Sequence, residues 1–118
     1  MPRQNFFSMR KQYRKLVRDR IPDIIREKGG IPEIRTLPEG EYLQALKEKF
    51  KEELAEYLAA ETPEARLEEM ADIFEVITVL NATEGRSVEQ VIETQKKKRE
   101  DRGAFEERIF LESVEEPE

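Results

Sequence analysis

The sequence contains no cysteine and no histidine. Their absence excludes disulfides, thiolate nucleophiles, imidazole bases and the usual zinc or copper sites. A cation held by this chain must therefore sit on carboxylates, which suit hard ions such as Mg²⁺ or Mn²⁺. A basic excess is missing too. The formal net charge is −6, and phosphate neutralisation by a general nucleic-acid binder needs the opposite sign. A local basic pocket for a phosphorylated small molecule stays open. No run approaches the roughly 18 apolar residues of a membrane span, and the opening MPRQNFFSMRKQYRK has no apolar signal core. The expectation is a soluble, cytoplasmic protein with neither membrane nor nucleic acid as partner.

What is present is charge. Charged residues make up 41% of the 118 positions and hydrophobic ones 37%. The length fits one domain, and the core is thin for the surface it must cover. Small domains of this kind often gain burial by oligomerising, and an oligomer is expected here.

The pattern predicts an all-α bundle of about four helices with minor β decoration. Residues 1–13 read as a flexible lead, 14–112 as the domain and 113–118 as a frayed acidic tail. IPDIIREKGG is a short first helix, with Pro22 early, Ile24 and Ile25 on one face and Gly29–Gly30 at its end; Asp19 is placed to cap it. IPEIRTLPEG is extended, with room for a strand over 33–36. That strand could pair with the tail ERIFLESV through Ile109, Phe110, Leu111 and Val114.

A second helix is predicted from about Glu41 to Glu61, its stripe being Leu43, Leu46, Phe50, Leu54, Tyr57 and Leu58. Thr62 then caps a third helix from Pro63 to Thr83, which Gly85 stops. Ser87 and Gln90 form a capping box for a fourth helix, ending at Arg102 and Gly103. The aromatic residues Tyr42, Phe50, Tyr57, Phe74 and Phe105 read as core.

Two acidic bursts, EELAE and EEMAD, flank the turn between the second and third helices. Spacing alone means little among 27 acidic residues, where the base expectation is a solvated face. Helical placement separates them. Glu53 lies beside the apolar stripe, Glu56 is about 60° further round, and Glu52 points more toward water. On the third helix Leu67, Met70 and Phe74 define one side; Ile73, Val76, Val79 and Leu80 define the other. Glu69 and Asp72 begin that second side one turn before it becomes core. Glu61, Glu64 and Glu68 read as solvent residues around the turn. Carboxylates beside a core are costly unless paired or bound to a cation. With no histidine and no excess of lysine expected on those faces, four of them would repel strongly.

The spacing EExxE, twelve residues, ExxD resembles the signature of the MazG-like, all-α nucleoside triphosphate pyrophosphohydrolases. It is carried here by Glu52, Glu53, Glu56, Glu69 and Asp72. RKLVRDRIPDII (14–25) and KKKREDRGAFEERIFLE (96–112) look like the ends of a small phosphoribosyl-ATP pyrophosphohydrolase-like group of that family, although Ala104 stands where a second glycine would be expected. The resemblance spans residues 13–112. It implies a helical fold that forms a homodimer or homotetramer through its core helices and holds Mg²⁺, with Mn²⁺ as a substitute. It also implies hydrolysis of a nucleoside triphosphate, NTP or dNTP, to the monophosphate and pyrophosphate, as in nucleotide-pool house-cleaning. By motif position the metal ligands are Glu53, Glu56, Glu69 and Asp72. With no histidine available, activation of the water falls to the metal or to a glutamate, Glu52 or Glu53.

Lys15 and Arg18, before the first helix, are candidates for the substrate phosphates. So are Lys97, Lys98, Arg102 and Arg108, although a basic helix end is also favourable with no ligand. The alternatives are phosphoribosyl-ATP pyrophosphohydrolase activity, or a non-catalytic helical module for oligomerisation or nucleotide binding.

Overall fold

A computed structural model describes residues 10–117; part of the predicted lead, residues 1–9, lies outside the described residues. Four helices follow in order: α1 (Ile21–Glu27), α2 (Glu39–Ala59), α3 (Pro63–Thr83) and α4 (Val88–Arg102). Among the described residues there is no strand, so the fold is all-α. Neither the 33–36 segment nor the tail forms the predicted β pairing. Pro32 and Pro38 bracket the first segment and offer no N–H to a ladder. In the second, Ile109, Phe110, Leu111 and Val114 are all exposed.

The chain divides into two compact units, Met1–Leu80 and Asn81–Glu118, the boundary falling in the last turn of α3. In the first unit the local signals act much as their chemistry dictates. Pro22 sits in the first turn of α1, and Gly29, at φ 90°, helps close its end. A side chain at Gly30 would meet Ile25 Cγ2 at 2.6 Å, so the turn leaves no room for one. Asp19 does not cap α1. The cap position is Arg20, with no side-chain hydrogen bond.

α2 begins two residues before the predicted start and ends two before the predicted stop. Three residues, 60–62, then turn the chain into α3. Thr62 Oγ1 accepts from Ala65 N at 3.0 Å, and Arg66 Nη1 donates to Ala60 O at 3.2 Å, tying the new helix to the end of the old one.

The core of this unit is small. Among the described residues, Leu46, Ile73 and Val76 are its buried apolar residues, and the acid Glu53 is buried with them at 5% exposure. The side of α3 carrying Ile73 and Val76 is therefore the inward one. Leu67, Met70 and Phe74, on its other side, are exposed, as are Leu54 and Leu58 of α2. The expectation that the aromatics are all core fails for Phe74 and Phe105 within this chain, whereas Tyr42, Phe50 and Tyr57 are half-buried.

In the second unit the reversal after α3 is built on Asn81. Its carbonyl accepts from Glu84 N and Arg86 N, and its buried side-chain Oδ1 accepts from Arg86 Nε at 3.0 Å. Gly85 takes φ 75° in that turn, a conformation open to glycine at little cost. Ser87 and Gln90 form the complete capping box of α4. Gly103 ends the helix at φ 80°.

Candidate metal centre

The short α2–α3 connection places the two acidic bursts on facing helices. Glu53, Glu69 and Asp72 each bring a carboxylate oxygen within 4.8 Å of the others. Glu52, Glu53 and Glu56 form a second such trio, with Glu53 common to both. Glu61, Glu64 and Glu68 are exposed around the turn.

Burial gives the cluster its chemistry. Glu53 Oε2 and Glu69 Oε2 are both buried without a hydrogen-bond partner among the protein groups. A buried polar atom left unpaired costs free energy, and a buried anion more so. The proton affinities follow. Burial, with the neighbouring charges of Glu56 and Asp72, pushes the Glu53 carboxyl up to about 7. Burial, with Glu69 and Glu52, also raises that of Glu56. Glu52 moves the other way. Burial alone would raise it, but Lys49 and Lys15 outweigh that and hold it below the usual carboxylate range.

Three cations stand against these acids. Lys49 Nζ lies 3.3 Å from Glu52 Oε2 and 3.5 Å from Glu53 Oε1, with only 18% of its side chain exposed. Lys15 Nζ reaches the same Glu52 oxygen at 3.3 Å, and Arg18 Nη2 donates to Asp72 Oδ1 at 2.7 Å. The expectation that lysine is scarce on these faces is thus corrected by Lys49. Its signal was in the spacing, since i,i+3 and i,i+4 pairs meet on a helix surface. The contacts of Lys15 and Arg18 had no such local signal, spanning 37 and 54 positions.

The other predicted basic residues lie in the second unit, where Lys97, Lys98, Arg102 and Arg108 are all exposed. Arg102 lines a shallow pocket with Gly103, Ala104, Glu106, Glu107 and Ile109. Arg108 adopts φ 59°, uncommon for a side chain with a Cβ.

The donor set fits a hard divalent cation. It offers oxygens only, it is in net anionic excess, and Glu53 and Glu69 each present a bare oxygen that an ion would satisfy. Lys49 leaves Glu53 Oε2 uncommitted while it engages Oε1.

No family model matches the chain, and no solved structure matches it. It is similar to an uncharacterized protein of Mycolicibacterium smegmatis, with 57% identity over 53 residues. That match takes in 45% of this chain and spans about half the length of the relative, 54%.

Proposed function

We propose that this chain is a MazG-like nucleoside triphosphate pyrophosphohydrolase that uses Mg²⁺, or Mn²⁺ in its place. The observation that carries the reading is Glu53, an acid 5% exposed whose Oε2 has no partner and which shares its surroundings with Glu69 and Asp72. Glu53, Glu56, Glu69 and Asp72 would hold the cation, whose chemistry is to neutralise and polarise a triphosphate. Glu52 is the carboxylate we assign to accept a proton from the attacking water. Lys15 and Lys49 keep it ionised, and it lies outside the Glu53–Glu69–Asp72 trio. Glu53, at about 7, has the matching basicity if the cation leaves it free.

Lys15 and Arg18 are at hand for phosphate oxygens, being already beside the acids. Lys97, Lys98, Arg102 and Arg108 enter the proposal on sequence pattern and charge alone. The role is house-cleaning of the cytoplasmic nucleotide pool. Among the described residues no helix is long and apolar enough to cross a membrane.

The test is release of pyrophosphate from a panel of canonical and damaged nucleoside triphosphates, with and without Mg²⁺. The expected result is metal-dependent formation of a monophosphate and pyrophosphate from at least one of them. Stabilisation by Mg²⁺ with no product from any triphosphate would reduce the protein to a binding module.

The same proposal includes a homodimer or homotetramer. Its support is that Leu67, Met70 and Phe74, at helical spacing on α3, are exposed in one chain. Exposed apolar stripes of this kind ordinarily mark an interface. Sedimentation equilibrium should return at least twice the chain mass of 13.9 kDa. Leu67→Glu should shift it to the monomer, and a monomeric wild type would remove this part of the proposal.

A further inference from the structure

The Arg18–Asp72 pair joins the segment before α1 to the cluster on α2 and α3, and it engages an acid of the candidate cage. Arg18 Nη2 donates to Asp72 Oδ1 at 2.7 Å, a short, charge-assisted bond. Asp72 belongs to the trio whose oxygens lie within 4.8 Å of one another. A guanidinium hydrogen-bonded to that carboxylate and a divalent ion on the same group compete for its lone pairs and repel each other.

The pair is also built to open. Its side chains are 57% and 36% exposed, so separating them returns both groups to water rather than to a dry interior. The segment has a second attachment that does not involve Arg18, the Lys15–Glu52 contact at 3.3 Å, and Leu16 between them is half-buried. Arg18 can therefore leave Asp72 while its neighbours stay in place. Lys49 is different. It is mostly buried and carried on α2 itself, so it is a fixed counter-ion rather than an exchangeable one.

We propose that Arg18 is an internal competitor for the cation: a divalent ion takes Asp72 by displacing the guanidinium, which then becomes available to a phosphate oxygen. The inference rests on the cation reading of the carboxylates and adds to it a coupling between metal and phosphate. Because coupling free energies are reciprocal, a phosphate that draws Arg18 away also tightens the cation. The bare protein holds its ion weakly, and the triphosphate completes the loading.

The experiment is Mn²⁺ binding alone, at low ionic strength, followed by electron paramagnetic resonance. Arg18→Gln should tighten Mn²⁺ by about three- to tenfold, the size expected for losing one exposed competing charge pair together with its repulsion of the ion. Arg26→Gln carries the same change in net charge, but its partner is Asp23 on its own helix, so it should alter affinity by less than about twofold. In the wild type, the guanidinium ¹⁵Nε resonance of Arg18 should move toward that of free arginine when Mg²⁺ saturates the site.

Unchanged or weaker Mn²⁺ binding in Arg18→Gln overturns the proposal, as does an Arg18 resonance that Mg²⁺ leaves in place. Equal tightening by Arg26→Gln overturns it too, since net charge would then be the whole cause. If the wild type binds no Mn²⁺, the cation reading itself fails and the proposal falls with it. If the wild type binds and Glu53→Gln does not, the cage stands and Arg18 alone decides the competitor.

Discussion

Glu53→Gln should lower Mn²⁺ affinity on the order of 100-fold or more and abolish Mg²⁺-dependent pyrophosphate release; even residues one step removed from a metal contribute 10–100-fold. Glu53 is the one acid common to both carboxylate trios, and it is the most buried acid of the cluster. The amide keeps the volume and one oxygen but removes the charge that a hard ion needs. Two comparisons give the result its meaning. Glu61→Gln changes a solvent residue of the same hairpin and should leave binding untouched. Glu52→Gln removes the charge that Lys15 and Lys49 share while lying outside the Glu53–Glu69–Asp72 trio, so it should keep most of the cation affinity and lose turnover. Measurable pyrophosphate release by Glu53→Gln at the wild-type rate would end the assignment of Glu53, whatever happened to the other acids.

The helices were legible because their signals are local. Thr62 and Pro63 at the start of α3, and Ser87 with Gln90 at the start of α4, act within one turn of chain. The inward side of α3 was legible in the same way, from Ile73 and Val76. What periodicity could not rank was two adjacent residues near one stripe. Leu54 was placed in the stripe and Glu53 beside it, yet Glu53 is buried and Leu54 is 44% exposed. The reason is partnership. Glu53 lies against Glu69 and Asp72 of α3, and Lys49, one turn earlier on α2, meets one of its oxygens, whereas Leu54 faces outward.

Leu67, Met70 and Phe74 show the converse limit. A helix apolar all round is normally covered all round, but one chain covers only one of its sides. The ion pairs of Lys15 and Arg18 were beyond any local rule, because nothing in KLVRD says which acid it will meet. Segments with apolar content but no pairing partner stay irregular. The stretch over 33–36 and the tail from Ile109 to Val114 have the composition of strands and form none.

The same acid should make stability depend on pH in an unusual direction. Most native carboxylates bind protons less tightly than unfolded ones, so proteins usually lose stability as pH falls. Glu53 does the reverse. Folded, it holds its proton up to about pH 7; unfolded, it releases it near the ordinary 4.5. Between those values the native state binds more protons than the unfolded state, and its contribution to stability declines as pH rises. A tenfold difference in proton affinity is worth about 1.4 kcal/mol, so the full span approaches about 3 kcal/mol for so buried a group. Burial and the Glu56 and Asp72 charges are the cause, and Glu56 is shifted in the same sense.

Comparison with Glu53→Gln isolates the term from every other titrating acid. At about pH 5.5 the folded wild-type carboxyl is neutral like the amide but the unfolded one is already ionised, so urea denaturation should find the variant more stable by only about 1 kcal/mol. At about pH 8.5 the wild type carries the buried charge, and the variant should be more stable by about 2–3 kcal/mol. A stability difference that stays flat from pH 5.5 to 8.5 would show that Glu53 does not carry this proton. Mg²⁺ should then close the gap at high pH for the wild type alone. An ion held there would bind the ionised acid, drive its proton off and turn a destabilising buried charge into a ligand.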